Sequence, residues 1–213
     1  MSGKMKLLAL SDLHSDEEVL DRLRAISAGR NYDAVLFCGD LTSNGPASYA
    51  EDAVSLFPSS YAVFGNMDTP DVAERLRQLG VLVHARKVGL GEWNLAGLGG
   101  SNPTPFGTPS EFSEEKISAF LQQAAVDQYS IVLSHPPPQG VFDSVGSLHV
   151  GSAAVRAMIS EKKPLMVICG HIHEYEGKQV VDQTLVVKLA PAERMRAAEI
   201  TITDSIKVDF ISL

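Results

Sequence analysis

The sequence contains little cysteine: Cys38 and Cys169 are the only two among 213 residues. So few thiols cannot build the disulfide framework that supports small secreted domains, and a chain of this length can bury a large core without one. Each cysteine ends an apolar run, AVLFC or LMVIC. We therefore expect both side chains to be small buried hydrophobic groups in a reducing compartment.

Long apolar runs and a positive net charge are also missing. The segment MSGKMKLLALSD offers only LLAL as an apolar stretch, which is too short for a signal peptide or a membrane-spanning helix. The formal net charge is -8, whereas duplex nucleic acid and anionic membranes attract basic surfaces. The sequence thus predicts a cytoplasmic protein that binds neither duplex nucleic acid nor membranes.

The first half of the chain alternates apolar runs with helical patterns. The runs MKLLALS, DAVLFC and YAVF read as strands. Ser15 and Glu18 have the spacing of a capping box at the start of a first helix. A second helix is predicted over 47–56, and a third begins with Thr69 as N-cap and Pro70 as its first residue. This alternation is typical of parallel βαβ units.

The second half has a different pattern. The segment 81–100 is broken by glycines and predicts antiparallel hairpins, and 101–110 reads as a surface loop near the substrate, with Phe106 as an apolar wall. Helices are predicted near 113–125 and 152–160, around the strands YSIVLS and PLMVIC. The tail, residues 177–213, alternates apolar and polar residues, which predicts three or four antiparallel strands. We therefore expect one α/β domain spanning the whole chain, with two sheets flanked by helices.

Side chains that can bind a metal follow five of the predicted strands. In open α/β sheets, ligands bind beyond the carboxyl ends of the strands. Any one of these residues alone would be read as a turn or surface residue, but their joint placement favours a metal centre. Carboxylate, amide and imidazole ligands suit Mn, Fe, Zn, Ni or Mg. The residues are Asp12, His14, Asp40, Asn66, His135, His171 and His173.

Seven ligands exceed the needs of one ion, so we expect two. Two ions lying about 3.5–4 Å apart need a bridging carboxylate and can clamp the attacking and leaving oxygens of a displacement at phosphorus. Asp40 follows a central strand and is the natural bridge. A mononuclear hydrolase is the weaker alternative, because it would leave Asp40 and one set of histidines without a role.

The order DLH, GD, GN-x-D, a lone His after a strand, and GHIH resembles the calcineurin-like metallophosphoesterase superfamily. The segments SHPPPQG, HVGSAAVR and CGHIHEYEG are similar to its Icc-related phosphoesterase branch. The resemblance covers residues 12–173 and implies a four-layer αββα sandwich, the metallophosphoesterase fold. It also implies a phosphoesterase with two divalent metal ions, manganese first and Fe, Ni, Zn, Co or Mg as alternatives, in which a metal-bridging hydroxide attacks phosphorus.

The resemblance also implies a division of the ligands. One metal would be held by Asp12, His14 and His173, and the other by Asn66, His135 and His171. Asp40 would bridge them.

Met67 departs from the family pattern. Many members have a histidine here, paired with the following acid, that protonates the leaving group, and a thioether cannot donate a proton. Asp68 either orients another group or is a turn residue. Losing a general acid costs most on monoesters of poor leaving groups, so Met67 favours a phosphodiesterase acting on a small phosphate ester.

Another residue can take over the proton. His149 lies in the segment PPPQGVFDSVGSLHVGS, which should rim the site, and we interpret it as the candidate donor; the alternative is a surface-loop histidine. We thus expect Asp40, Asn66 and His149 to be catalytic, and Asn66, Met67 and His149 to contact the substrate. His84 ends the run VLVH without a partner and is interpreted as structural.

Two further departures concern segments rather than ligands. Thr42 and Ser43 follow GDL where many members have another Asp, and KLAPAE stands where relatives often have an Asn-Pro-Gly turn. Some relatives with this fold bind proteins instead of hydrolysing esters, so a non-catalytic scaffold is the alternative function. An edge strand of the antiparallel tail could support a homodimer.

Overall fold

Two large sheets, one two-stranded sheet, five α-helices and a short 3-10 helix make up the computed structural model, which describes residues 4–213. The first three residues of the expected domain lie outside this range. The helices are α1 (Glu17–Gly29), α2 (Ala47–Ser55), α3 (Pro70–Gln78), α4 (Glu114–Gln123) and α5 (Ala153–Lys162). The strands are β1 (Met5–Leu10), β2 (Ala34–Cys38), β3 (Ser60–Val63), β4 (Lys87–Leu90), β5 (Trp93–Leu98), β6 (Ser130–Ser134), β7 (Ser144–Val145), β8 (Leu148–His149), β9 (Met166–Cys169), β10 (Gly177–Val181), β11 (Thr184–Lys188), β12 (Arg196–Ile202) and β13 (Ile206–Ser212).

Helices cover the outer face of each sheet. The first sheet has the order β13-β12-β1-β2-β3 and the second the order β10-β11-β9-β6-β5-β4. Buried residues of α1, α2 and α3 pack on the first sheet, and those of α4 and α5 pack on the second. A third apolar cluster lies between the sheets. The predicted four-layer αββα sandwich is confirmed, and none of the helices within 4–213 is long and apolar enough to cross a membrane.

The central strands are buried on both faces. Along β1, Leu8 and Leu10 pack toward the helices, whereas Leu7 and Ala9 pack toward the other sheet. Side chains alternate across a strand, so a strand between two apolar layers needs a continuous apolar run, as MKLLALS is. The two cysteines at the ends of such runs are fully buried and free, as expected.

The predicted capping box at α1 is wrong. Asp16 is the N-cap, and its carboxylate accepts hydrogen bonds from the backbone N–H of Glu18 at 2.8 Å and of Val19 at 3.2 Å. Ser15 lies one residue earlier in a left-handed conformation, with φ 60°, and its hydroxyl donates to the Gly45 carbonyl. The chain turns here so that the DLH segment contacts the end of β2, where the backbone N–H groups of Leu13 and His14 donate to the Asp40 carbonyl. Asp16, the first residue after this turn, is therefore the N-cap of α1.

The antiparallel predictions hold only in part. β4 and β5 form a hairpin and the tail gives four strands, but β5 pairs in parallel with β6 and β11 pairs in parallel with β9. β5 and β11 join the interior of the second sheet, where their inward residues are buried. A pattern of polar and apolar residues reports burial of a face, not the direction of the neighbouring strand.

Candidate metal centre and substrate cleft

The structure brings the predicted ligands together where β1, β2, β3, β6 and β9 end. They form two trios, and the ligand atoms of each trio lie within 4.8 Å of one another. Asn66 joins the second trio: its Oδ1 lies 3.0 Å from Nε2 of His135. The trios are Asp12, His14 and His173, and Asp40, His135 and His171.

Asp40 belongs to the second trio and also faces the first. Its Oδ2 is 4.0 Å from Nε2 of His14 and 3.4 Å from Nε2 of His135. Its Oδ1 accepts a hydrogen bond from the backbone N–H of Met67 at 2.8 Å. One carboxylate oxygen is thus anchored to the chain while the other faces both sets of imidazoles, as a bridging ligand requires.

The ligand backbones are held in unusual conformations. Asp12, His14, Asp40 and His171 have φ values of 58°, 52°, 47° and 72°, in the left-handed region that non-glycine residues rarely adopt. Such residues cluster at functional sites, where the surrounding structure supports the strain. The strand ends therefore turn abruptly and aim these side chains at one point.

Glycines precede several ligands because the strand ends approach one another closely. A Cβ at Gly65 would overlap the carboxylate of Asp40, and a Cβ at Gly170 would overlap the hydroxyl of Ser11. The GN and GH pairs of the sequence therefore reflect a packing requirement: the residues before Asn66 and before His171 have no room for a side chain.

The imidazoles are oriented by partners on their far nitrogens. A ligating histidine usually donates its other N–H to a backbone carbonyl, a carboxylate or a similar group, which fixes the ring and the tautomer. Here Nδ1 is engaged and Nε2 points inward in each of three rings. The partners are the Cys38 carbonyl, 2.8 Å from His135, the Ser43 hydroxyl, 3.2 Å from His14, and the Glu193 carboxylate, 3.5 Å from His173.

Burial and neighbouring charges shift the titration of the centre. Burial tends to raise the pKa of Asp12, but His173 and His135 lower it below its usual range. Burial likewise opposes the charge of His135, yet the Asp40 carboxylate raises the pKa of that imidazole to about 9. Burial and the charge of His135 lower the pKa of His171 to about 3. Carboxylates facing inward imidazole nitrogens in a buried site fit two divalent cations.

The sequence model of the calcineurin-like phosphoesterase family matches residues 5–175 of this chain. This chain belongs to the calcineurin-like phosphoesterase family. It is 30% identical over 198 residues to an uncharacterised protein of Methanocaldococcus jannaschii, covering 88% of each chain. A structure from Thermus thermophilus matches with a TM-score of 0.78 and 18% identity over 99% of both chains. An archaeal phosphodiesterase matches with a TM-score of 0.60 and 15% identity over 98% of this chain and 100% of that one.

In this calcineurin-like phosphoesterase a cleft of about 1500 Å³ opens on the metal centre. Asn66, Met67 and His149, the residues predicted to contact the substrate, all line it. Met67 is half-buried there, and its thioether has no proton to give. His149 is half-exposed on the short β7–β8 hairpin.

Asp68 serves the backbone rather than the cleft. Its fully buried carboxylate accepts hydrogen bonds from the backbone N–H of Leu41, Thr42 and Gly65 at 3.2, 2.8 and 2.8 Å, and from the Thr42 hydroxyl at 2.8 Å. The family's acid is thus kept here as a tie between the two loops that carry Asp40 and Asn66. Thr42, which stands where many family members have another Asp, donates two of these hydrogen bonds and therefore has a structural role here.

Several residues that shape the site were not singled out from the sequence. Asp143 holds the ring of His149, and Thr108 accepts a hydrogen bond from Nδ2 of Asn66 at 3.0 Å. Lys188 is fully buried near Asp12 and donates to the Leu189 carbonyl at 2.6 Å. A lysine inside the apolar run TLVVKLA was a usable signal for Lys188, whereas loop residues such as Thr108 carry none.

Proposed function

We propose that this chain is a single-domain, binuclear metal-dependent phosphodiesterase acting on small phosphate esters. The observation that carries the proposal is the position of Asp40, whose Oδ2 faces His14 and His135 from opposite trios. A protein that had lost hydrolysis would not need this convergence of buried carboxylates and imidazoles. Family membership supports phosphoester chemistry, and the leaving-group argument supports diesters.

The side chains divide between two cations. Asp12, His14 and His173 would hold one, Asn66, His135 and His171 the other, and Asp40 both. We propose manganese for both positions, with Fe, Ni, Zn, Co or Mg as alternatives that the same oxygen and nitrogen ligands accept. When bound, such ions supply an activated water and neutralise charge on the phosphate.

The chain's own residues set the fate of the leaving group. Met67 lines the cleft but cannot donate a proton, so a leaving group that needs one must find it elsewhere. His149 lines the same cleft, and its Nδ1–H is engaged by the Asp143 carboxylate, so Nε2 donates a proton only from the ring protonated on both nitrogens. A diester with a stable leaving group depends least on this proton, which supports the diester preference.

A direct test compares two chromogenic esters. Metal-stripped protein is incubated with Mn²⁺ and assayed with bis(4-nitrophenyl) phosphate and with 4-nitrophenyl phosphate. We expect the diester to be hydrolysed faster. Asp40→Asn should abolish both activities and weaken binding of both ions, whereas Asp52→Asn, an exposed aspartate on α2, should change neither.

Two outcomes would contradict the proposal. If neither ester is hydrolysed with Mn, Ni, Fe, Zn or Co, the chain is a binding module on this fold. If the monoester is hydrolysed faster, the inference drawn from Met67 is wrong.

A further inference from the structure

We propose that the cleft selects phosphodiesters whose retained ester group is apolar or aromatic and carries no second anionic group. The inference rests on the proposed function and assigns its substrate class. It follows from what lines the two rims of the cleft and from the charges that face it.

Both rims present apolar side chains beside the metal centre. One rim is the loop 102–110, in which Phe106 is 83% exposed. The other is the β7–β8 hairpin, where Leu148 is 67% exposed and Val145 45% exposed. These three residues are among the five large exposed hydrophobic residues of the described chain, and all three line the same cleft. Their clustering beside the ligands marks this as a surface for an apolar group rather than scattered exposure.

The loop that carries Phe106 is held in place. The Glu111 carboxylate accepts hydrogen bonds from the backbone N–H and the hydroxyl of Thr104, and from the same two groups of Thr108. Thr108 in turn accepts from Asn66, which ties the loop to the metal centre. The apolar wall is therefore fixed relative to the reacting phosphate, so an ester group can be positioned against it.

The two rims are also joined. Nδ2 of Asn102, at the start of the loop, donates to the Val150 carbonyl, at the end of the hairpin, at 3.0 Å. The hydroxyl of Tyr175 donates to the Ser144 carbonyl at 3.0 Å and so anchors the first strand of the β7–β8 hairpin. A group between the rims thus meets a preformed surface, which keeps the ordering cost of binding low.

Charge in the cleft excludes a second anion. Within residues 4–213, no lysine or arginine lines the cleft, whereas Glu114, Glu174 and Glu193 do. Arg194 is adjacent in sequence, but its guanidinium donates to the His173 carbonyl. A phosphate at the metal centre would be neutralised by the cations. A second phosphate or carboxylate farther out would meet three glutamates and, apart from His149 and the histidines of the two trios, no side chain of the described cleft that can carry a positive charge. Nucleoside polyphosphates and oligonucleotides therefore fit poorly.

The test measures binding apart from turnover. The protein is loaded with Mn²⁺, its metal content is verified, and binding of the non-hydrolysable analogues diphenylphosphinate, dimethylphosphinate and a diphenylphosphinate bearing one ring carboxylate is measured by calorimetry. We expect diphenylphosphinate to bind about tenfold or more tightly than dimethylphosphinate, because each ring buries apolar area. The added carboxylate should remove most of that gain.

Variants locate the surface. Phe106→Ala and Leu148→Ala should each reduce the ratio of diphenyl to dimethyl affinity by about threefold or more. Tyr129→Ala is the matched control, since Tyr129 is 54% exposed but does not line the cleft. Equal affinity for all three probes, tighter binding of the carboxylate, or a ratio unchanged in both variants would overturn the inference.

The proposed function can fail separately. An apolar preference that both variants reduce, in a protein that hydrolyses no ester with any metal, would support the recognition inferred here and overturn the proposed phosphodiesterase. Hydrolysis of the nitrophenyl diester without any preference for apolar ester groups would support the proposed phosphodiesterase and overturn the recognition inferred here.

Discussion

Nδ1 of His149 donates a hydrogen bond to the buried carboxylate of Asp143 at 2.7 Å. The other oxygen of Asp143 accepts from the backbone N–H of Gly140 and of Gly151, each at 3.0 Å. The carboxylate is therefore fixed by the chain on either side of the hairpin, and it fixes the ring in turn. A half-exposed histidine on a short hairpin would otherwise sample several rotamers.

Removing this support should impair proton donation more than binding. For Asp143→Asn and His149→Ala we expect kcat to fall about 10²-fold or more on diesters with poor leaving groups, such as methyl phenyl phosphate, with a smaller change in KM. Nitrophenyl diesters should be nearly unaffected, since their leaving group needs no proton. Steady-state kinetics over a series of leaving groups measures this. Asp209→Asn, on β13, is the matched control, and equal losses on all leaving groups would indicate a merely structural role.

Met67→His should restore a proton donor in the position where relatives keep one. We expect kcat/KM on a monoester of a poor alcohol, such as glycerol 2-phosphate, to rise at least about tenfold more than on bis(4-nitrophenyl) phosphate, since general acid catalysis is worth about 10²–10⁴-fold. Phosphate release measures the first and nitrophenolate the second. Met67→Gln, of similar size without a transferable proton, is the control. Equal gains on both esters would contradict the leaving-group account.

Thr108→Val should weaken the cation held by Asn66. Nδ2 of Asn66 loses its acceptor, so its Oδ1 is no longer fixed toward His135, and losing such a support typically costs about 10- to 100-fold in metal affinity. Metal titration with two resolved sites should show one affinity reduced and the other retained. Thr104→Val is matched, because it also loses a bond to Glu111 but has none to Asn66. An equal effect of the two variants would assign the loss to the loop as a whole.

The convergence of the candidate metal ligands was predictable from sequence because parallel strands bring their carboxyl ends to one edge. Asp12, Asp40 and His135 each follow an apolar run, so their meeting required only the correct strand order. Asp143 and Thr108 were not predictable, because they lie in loops whose folding follows no periodicity. The capping box failed for a related reason: Ser15 has the right spacing, but the sharp turn after His14 moved the cap to Asp16.

Asp68→Asn should destabilise the fold rather than remove a proton donor. The amide keeps only one acceptor oxygen, so in this fully buried position at least one of the three backbone N–H donors would face the amide NH₂ and lose its acceptor. We expect a loss of about 3 kcal/mol in unfolding free energy, measured by denaturant titration. Asp52→Asn, exposed on α2, should cost almost nothing. Unchanged stability with a large fall in kcat would instead assign Asp68 to proton transfer.

His84 should make stability depend on pH. Its Nδ1 accepts from the backbone N–H of Gly99 at 2.9 Å, and its ring packs 4.8 Å from that of Phe64 and 4.4 Å from that of Phe120. Burial, and secondarily the charge of Lys116, lower the pKa of His84 from 6.5 to about 4. As the pH falls, His84 is therefore protonated near pH 6.5 in the unfolded chain but only near pH 4 in the folded chain.

The sign follows from that difference in bound protons. Stability from the neutral ring is complete above pH 6.5 and is lost as the pH falls toward 4, by about 2–3 kcal/mol. His84→Gln keeps an acceptor for Gly99 but cannot be protonated, so its unfolding free energy should fall less over the same range. Denaturant titrations of both proteins at pH 7, 5.5 and 4.5 measure the difference, which cancels the shared contribution of the carboxylates. Parallel pH profiles for the two proteins would show that His84 is freely protonated in the folded state.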